Sequence, residues 1–545
     1  MPRHPGVSVP PAAYAVRFGS LGREATCRAG ETLFQCARRA GIRIVGACGG
    51  RGVCGTCLVR VDSGQVGPLS PRHAGTPPPA QADGWLRSCL VQPLGDCSLE
   101  LSPRSLAPVV RAEVEGLDSA PLALDLAAHA REAALSLPRD APLLGLAIDL
   151  GTTNVAGFLV DLRTGARLAS LGIENPQAAY GADLVSRLNH AIRAPQGAAE
   201  LQSAALAAIA ALARDLCDAV GRRPEEIADV GICGNTAMHH LLLRLPVAQL
   251  ARAPFVPATA AAIDLDTREL GFSAAPGAYA HLMPGIGGFV GGDHVAALLA
   301  TEARWSGSTA LILDIGTNTE VSLVHQGEIT TVSCPSGPAL EGGHISCGMR
   351  AAEGAIERVR LQDGKLAIQT IEGAAPVGLC GSGVLDCIAA MLQAGIIDRR
   401  GRIQPGHPAV RVNGSHRDVM LAPGVAIEQA DVRAVQLAKA AIRTGIDLLL
   451  AGRGIGHQGL ERVLIAGAFG AYLDLGSAIA IGLLPPVPRA RILQVGNAAG
   501  TGVRMALASA AARERARRLA ARCRHIELGS LAEFRKTFMR RIGFD

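Results

Sequence analysis

Asp149-Leu-Gly-Thr-Thr-Asn154 and Asp314-Ile-Gly-Thr-Asn-Thr-Glu320 are two versions of one short acidic turn, and their reading decides the fold. Each follows an apolar run that reads as a buried strand, Leu143–Ile148 before the first and Ala310–Leu313 before the second. A strand that ends this way brings a carboxylate, hydroxyls and backbone N–H groups to one point. Gly151 and Gly316 allow a sharp turn and the close approach of a phosphate. The aspartate suits magnesium through water, because that ion takes few carboxylates and keeps phosphate oxygens and waters. One such turn is weak evidence. Two predict a pair of half-domains facing each other across a phosphate.

A third element, Val463-Leu-Ile-Ala-Gly-Ala-Phe-Gly470, is again an apolar strand running into a glycine-rich turn, suited to lie against a base or ribose. Together the three resemble the acetate and sugar kinase/heat-shock chaperone/actin ATPase superfamily. That resemblance implies a duplicated α/β body of ribonuclease H-like, actin type, binding ATP and Mg2+. It makes Asp149 and Asp314 the carboxylates that hold magnesium through water. Gly151, Thr152, Thr153, Asn154, Gly316, Thr317 and Asn318 then surround the phosphates, and Gly467, Ala468, Phe469 and Gly470 form the adenosine turn. A P-loop is excluded, since none of the three lysines, Lys365, Lys439 and Lys536, sits in a Gly-Lys-Ser/Thr turn.

Between the two turns lies a glycine-dense loop, Gly285–Asp293, leading into a helical pattern from His294 to Glu302. An Asp at a helix start reads as an N-cap. The Gly-Asp-x-x-Ala-Ala pattern also resembles the loop that carries the general base in sugar kinases, which gives Asp293 a catalytic role compatible with the cap. Val230–Ile232 runs into Cys233-Gly-Asn-Thr-Ala-Met-His-His240, another strand, turn and helix. Neighbouring histidines on a helix point about 100° apart, so one metal does not readily take both. Ser336–Gly343 and Gly378–Gly383 are further glycine turns, and Gly496–Gly502 is read as a last turn closing the cleft. Arg513–Arg524 reads as an arginine-rich helix with a solvated face.

Toward the N-terminus, cysteines follow the pattern Cys48-x5-Cys54-x2-Cys57 with Cys89 downstream, set among Gly46, Gly49, Gly50, Gly52 and Gly55. A cluster with bridging sulfides needs thiolates from a short loop and N–H groups aimed at sulfur, both of which glycine permits. The flanks read as a hairpin (Ala13–Phe18, Glu24–Arg28), a helix (Glu31–Ala40) and strands (Leu58–Asp62, Cys97–Leu101). This resembles the β-grasp [2Fe–2S] ferredoxins, with iron on Cys48, Cys54, Cys57 and Cys89. Zinc is the alternative, but zinc sites usually use two close cysteine pairs and only one pair is close. Cys27, Cys36 and Cys97 read as small core residues.

At 545 residues, 49% hydrophobic, the chain has enough apolar content for several cores. The organisation expected is α+β multidomain: a ferredoxin-like domain at 1–103, a linker at 104–143, and an ATPase body at 144–545 with lobes near 144–305 and 306–545. In the linker, Val109–Gly116 reads as a strand and Leu124–Leu135 as a short helix. Aromatic content of 3% argues against an aromatic base-stacking surface, and a net charge of +6 over this length is mild and only weak evidence for an acidic partner. No apolar run approaches the ~18 residues of a membrane span, and Met1–Pro11 lacks a signal core, so the expectation is cytoplasmic. Fourteen cysteines in such a chain point to metal or redox chemistry.

A ferredoxin ahead of this ATPase body, with Gly-Asn-Thr-x-Met-His-His at 234–240 and Gly-Gly-Phe-Val-Gly-Gly-Asp at 287–293, resembles the reductive activators of corrinoid proteins from about residue 14 to the end. The resemblance implies transfer of one electron from the cluster to the Co(II) of a corrinoid protein of a methyltransferase system, restoring Co(I). It also implies an upstream electron donor and a homodimer. Family members can carry a small additional α/β domain before the ATPase, which 104–143 is too short to hold. Ferredoxin potentials lie near about −400 mV, and each ~59 mV of uphill gap costs tenfold in a one-electron equilibrium. A gap of ~200 mV thus leaves under about one cobalt in a thousand reduced. A changed cobalt ligand set or an irreversible trapping step would close it. The expectation is that the half-domains closing on ATP change the docking of the corrinoid protein, through differential affinity for two states. The rivals are a small-molecule kinase with a fused regulatory cluster and a redox-sensing interaction protein.

Overall fold

The computed structural model describes residues 13–19, 22–40, 42, 44, 57–68, 84–102, 143–181, 183–414 and 416–544. The chain divides into two compact units, 1–108 and 109–545. The strand and helix expected in the linker, at 109–116 and 124–135, lie outside the described residues, as do Cys48 and Cys54 with their glycine-rich loop.

In the first unit, strands β1 (Ala13–Phe18), β2 (Arg23–Arg28), β3 (Leu58–Ser63), β4 (Leu86–Arg87) and β5 (Cys97–Leu101) form one sheet in the order β2-β1-β5-β3-β4. β1 and β5 run parallel inside an otherwise antiparallel sheet. Helix α1 (Leu33–Arg39) covers it. Its Leu33, Phe34 and Ala37 join Val16, Phe18, Val59 and Leu99 in a small core, which is what the alternating pattern of β1 and β2 demands.

The second unit is built twice on one plan. Lobe I contains β6 (Leu144–Leu150), β7 (Asn154–Asp161), β8 (Arg167–Glu174), β9 (Ile227–Gly234), β10 (Ile263–Asp266) and β11 (Tyr279–Leu282), in the order β8-β7-β6-β9-β11-β10. Lobe II contains β12 (Ala310–Ile315), β13 (Thr319–His325), β14 (Glu328–Cys334), β15 (Arg462–Ala466), β16 (Ile492–Gly496) and β17 (Cys523–His525), in the order β16-β15-β12-β13-β14-β17. In both, the first three strands form an antiparallel meander and two later strands, β9 and β11 in lobe I and β15 and β16 in lobe II, lie parallel beyond the first. β6 and β12 are the central strands and are apolar almost throughout because both faces are covered.

Helices α2 (Leu184–Arg193), α3 (Gly197–Asp218) and α4 (Thr236–Leu243) bury one face of the lobe I sheet. Helices α6 (Gly381–Gln393) and α7 (Gln429–Gly452) do the same for lobe II, where residues 355–428 add two three-stranded sheets. Between the lobes, α5 (Gly292–Trp305) and α8 (Ala498–Ala508) cross at their backbones. A Cβ at Gly502 would stand 2.0 Å from the Ala296 carbonyl oxygen, so only glycine fits that crossing. Side chains from both sheets and both helices share this middle core, Ala147, Phe158, Ile312, Leu464 and Val503 among them.

The arginine-rich stretch forms helix α9 (Ala510–Arg522), whose Arg517, Arg518 and Arg522 are exposed as expected, while Arg513 departs from that face. Arg513 is buried against Asp229 at 3.1 Å, and Arg515 pairs with Glu302. Burial outweighs the Arg513 guanidinium and pushes the Asp229 carboxyl up to about 7. Replacing Arg513 by Met strands that carboxylate, a loss of about 3–5 kcal/mol near neutral pH. With the folded pKa raised above the ordinary value, stability is retained at acid pH and lost as pH rises through about 7. The R513M melting deficit should therefore be larger at pH 8 than at pH 5.

Candidate functional site

The C-terminal ends of β6 and β12 deliver Asp149 and Asp314 into one cleft between the lobes. Gly151, Thr152, Thr153, Asn154, Gly316, Thr317 and Asn318 all line it, as do Asp293 and Gly467. Two local turns far apart in sequence thus face each other, and they touch: Thr153 Oγ1 lies 2.6 Å from Thr317 Oγ1. Gly467 ends β15 at φ 93°, and a Cβ there would stand 2.3 Å from the Ile315 carbonyl oxygen. Glycine is thus required beside Asp314. The expected adenosine turn is the start of a short helix, Ala468–Tyr472, with the Gly470 carbonyl held by Gln494 Nε2 at 2.7 Å.

The cleft gathers carboxylates. Burial raises the pKa of Asp149, partly offset by bonds from Asn497 Nδ2 at 2.9 Å and the Cys233 thiol at 3.7 Å. Burial, then the Asp149 charge, pushes Asp293 up to about 7. Asp314 and Glu320 are also raised well above the usual carboxylate range, again by burial first and then by neighbouring carboxylates. Asp314 and Glu320 are direct cross-strand partners on β12 and β13, where like charges repel. No lysine or arginine is among the described residues lining this cleft. A set of hard oxygen donors without a basic side chain fits a hydrated magnesium ion, whose charge offsets the repulsion.

Asp293 is not the N-cap it was expected to be. Gly291 caps α5, and Asp293 sits in the first turn with its Oδ1 accepting from the His294 N–H at 2.7 Å. Gly496–Gly502 is likewise no free turn but the end of β16 and the start of α8. Asn497 caps that helix, accepting from Gly500 N–H, and donates to Asp149. Asn235 plays the matching part in lobe I: it caps α4 and donates to Thr152 Oγ1 at 2.9 Å. A strand, then Asn, then a helix was the available signal for both.

The adjacent histidines do not make a metal site. His240 has both ring nitrogens on backbone groups, Thr236 O at 2.7 Å and Ala258 N–H at 2.9 Å. Burial pushes His239 down to about 4, keeping it neutral.

In the first unit, Cys57 and Cys89 are buried with their sulfurs 3.3 Å apart. Thiolates on one tetrahedral metal with bonds of about 2.3 Å lie about 3.7 Å apart, so this pair suits a single iron. Cys27, Cys36 and Cys97 pack in the core of the module; burial pushes the Cys97 thiol up to about 11, which disfavours a thiolate ligand.

Comparison with known proteins agrees with this geometry. Residues 18–94 match the 2Fe-2S iron-sulfur cluster binding domain, 144–304 match the RACo middle region, and 308–544 match the C-terminal domain of RACo, the ASKHA domain. The family's middle region thus occupies the span read from sequence as the first ATPase lobe. Corrinoid activation enzyme RamQ of Eubacterium limosum is 35% identical over 418 residues, covering 74% of this chain and 70% of the relative. The [Co(II) methylated amine-specific corrinoid protein] reductase of Methanosarcina barkeri is 27% identical over 386 residues, covering 65% and 68%. A solved structure of a reductive activator for corrinoid,iron-sulfur protein aligns over 97% of this chain and 98% of its own, at 30% identity and a TM-score of 0.69. A ferredoxin module and a twice-built lobed body with this cleft, matched along nearly its whole length, place the chain in the RACo family of reductive activators of corrinoid proteins.

Proposed function

We propose that this protein is an ATP-dependent reductive activator: one electron passes from its N-terminal module to the Co(II) of a corrinoid protein, restoring Co(I) for methyl transfer. The observation that carries this is the pairing, in one chain, of buried thiols set for a metal and a cleft whose two phosphate turns meet across it. A [2Fe–2S] cluster on Cys48, Cys54, Cys57 and Cys89 supplies the one-electron carrier. The closeness of Cys57 and Cys89 supports their holding one iron of such a cluster, with Cys48 and Cys54 then holding the other.

The cleft residues hold the nucleotide. Thr152, Thr153, Thr317 and the turn N–H groups take up the phosphates, and Asp149 and Asp314 orient the waters of the magnesium ion. Asn497 and Cys233 fix the Asp149 carboxylate, while Gly467 keeps the adenosine turn close to Asp314. Because the two turns belong to different lobes, a phosphate bound by both ties the lobes to each other in place of the Thr153–Thr317 contact. That gives nucleotide a differential affinity for a closed state, which is what driving an uphill reduction requires. Hydrolysis then releases the partner.

We further infer a division into a ferredoxin domain at 1–103, a linker at 104–143 and the ATPase body at 144–545. We also infer a cytoplasmic protein that receives its electron from an upstream donor and works as a homodimer. Among the described residues no helix is long and apolar enough to cross a membrane. The likeness to a solved reductive activator over 97% of the chain, and to a corrinoid activation enzyme over 74%, favours this reading over a small-molecule kinase.

The test is to reduce the reconstituted protein anaerobically and follow a Co(II)-corrinoid protein by its visible spectrum. Co(I) should form with Mg-ATP and not without it. Equal reduction in the absence of nucleotide sinks the coupling, and an untouched cobalt sinks the electron-transfer role.

A further inference from the structure

Glu341 closes a short turn, Pro338–Glu341, that lobe II pushes toward the two phosphate turns. The turn is flanked by Gly337 and Gly342 at φ 69° and 80°, backbone that glycine adopts without strain. At Gly342 a Cβ would also stand 2.7 Å from the Met349 carbonyl oxygen. The chain is thus bent to aim one carboxylate into the cleft, which Glu341 lines. Its Oε2 accepts from Thr317 Oγ1 at 2.9 Å and lies 3.4 Å from Thr153 Oγ1. Those hydroxyls belong one to each phosphate turn. Burial raises the Glu341 carboxyl above the usual carboxylate range, partly offset by the bond from Thr317 and then by Arg350, which bonds Asn154 of the first turn.

The protons in this trio have few places to go. A carboxylate only accepts, so Thr317 donates to Glu341, and Thr153 donates to Thr317 or to Glu341. Phosphate oxygens also only accept. A phosphate held between the turns must therefore rotate both hydroxyls toward itself. Glu341 then loses its donors and faces the phosphate with unfilled lone pairs, an arrangement that is costly in a buried site. Water is the donor small enough to fill it.

Resting on the ATPase reading above, we propose that Glu341 is a catalytic residue that binds and deprotonates the water attacking the γ-phosphate, made available when phosphate takes Thr153 and Thr317 away from it. In the step, the water oxygen forms a bond to the γ-phosphorus and the bond from phosphorus to the β–γ bridging oxygen breaks. One water proton passes to Glu341 Oε2, and ADP leaves with the electron pair on that oxygen. Asp293 is then freed from the role of base. Its Oδ1 is engaged by its own helix N-terminus and it sits beside Asp149, which suits ordering metal-bound water.

Substituting Glu341→Gln in the full-length reconstituted protein tests this. The amide oxygen can still accept from Thr317, so a role limited to holding the turns together is preserved while the base is removed. Phosphate release at saturating Mg-ATP should fall about 100-fold or more, with the Kd for ATP measured by calorimetry changed less than about threefold. E341D keeps a carboxylate and provides a second foldable variant; it should hydrolyse faster than E341Q. Near wild-type hydrolysis by E341Q overturns the proposal, as does loss of ATP binding together with hydrolysis, or E341D no faster than E341Q. A wild-type protein that fails to bind Mg-ATP is a different result and removes the nucleotide reading itself.

Discussion

Cys57→Ser should abolish cobalt reduction, bringing Co(I) formation down to the uncatalysed background. Cys57 is 1% exposed and its sulfur stands 3.3 Å from that of Cys89, so it lies inside the module. Serine at that position offers a hydroxyl that stays protonated where a thiolate is needed, and iron held by sulfide and thiolate does not accept the exchange readily. The visible absorption and the EPR signal of the reduced protein should both be lost. The informative control is Cys97→Ser. Cys97 belongs to the same core, its thiol is pushed up to about 11, and it makes no ligand in this reading. That variant should keep its spectrum and lose only about 1–3 kcal/mol from burying a hydroxyl. If C57S keeps the colour and C97S loses it, the ligand assignment is wrong. Binding of Mg-ATP to C57S shows independently that the second unit has folded.

Asp314→Asn is expected to lower the turnover of Mg-ATP by about 10²–10³, the several kcal/mol that a metal-orienting carboxylate supplies to phosphoryl transfer. The same change should stabilise the nucleotide-free protein. Asp314 is raised well above the usual carboxylate range by burial, then by Asp293 and Asp149, and it stands opposite Glu320 in the hairpin. A carboxyl whose folded pKa is raised contributes stability that is present at low pH and is lost as pH rises through the folded value. Removing it relieves that loss, so D314N should melt above wild type at pH 8 in EDTA and approach it at acid pH. Adding magnesium should stabilise wild type more than the variant. A variant that is both slow and less stable in EDTA counts against the electrostatic account and points to damaged packing.

The ferredoxin strands and the two phosphate turns were legible because their signals are local. β1, β2 and β5 alternate or run apolar over five or six residues. The runs ending at Asp149 and Asp314 are apolar strands broken by a glycine, so a short window of sequence suffices to place a carboxylate at a strand end. Arg513 shows the limit of such windows. Charge density in α9 reads as solvated, yet that side chain crosses to Asp229 on β9. A helix's charged residues carry no mark of which ones meet a buried partner until the partner is in place.

Sequence by itself determined the ferredoxin strands and the paired turns, since each rests on residues a few positions apart whose backbone choices are made locally. Only the tertiary structure decided which groups share the cleft. Asn497 reaches Asp149 across 348 positions and Glu341 reaches Thr153 across 188. It also decided that Asp293 lies within a helix turn capped by Gly291, and that Asp314 and Glu320 are forced together on adjacent strands. The physical reason is that hydrogen bonds and carboxylate repulsion act over a few ångströms of space, whereas the chain brings those atoms together only after two similar sheets have stacked their helices between them.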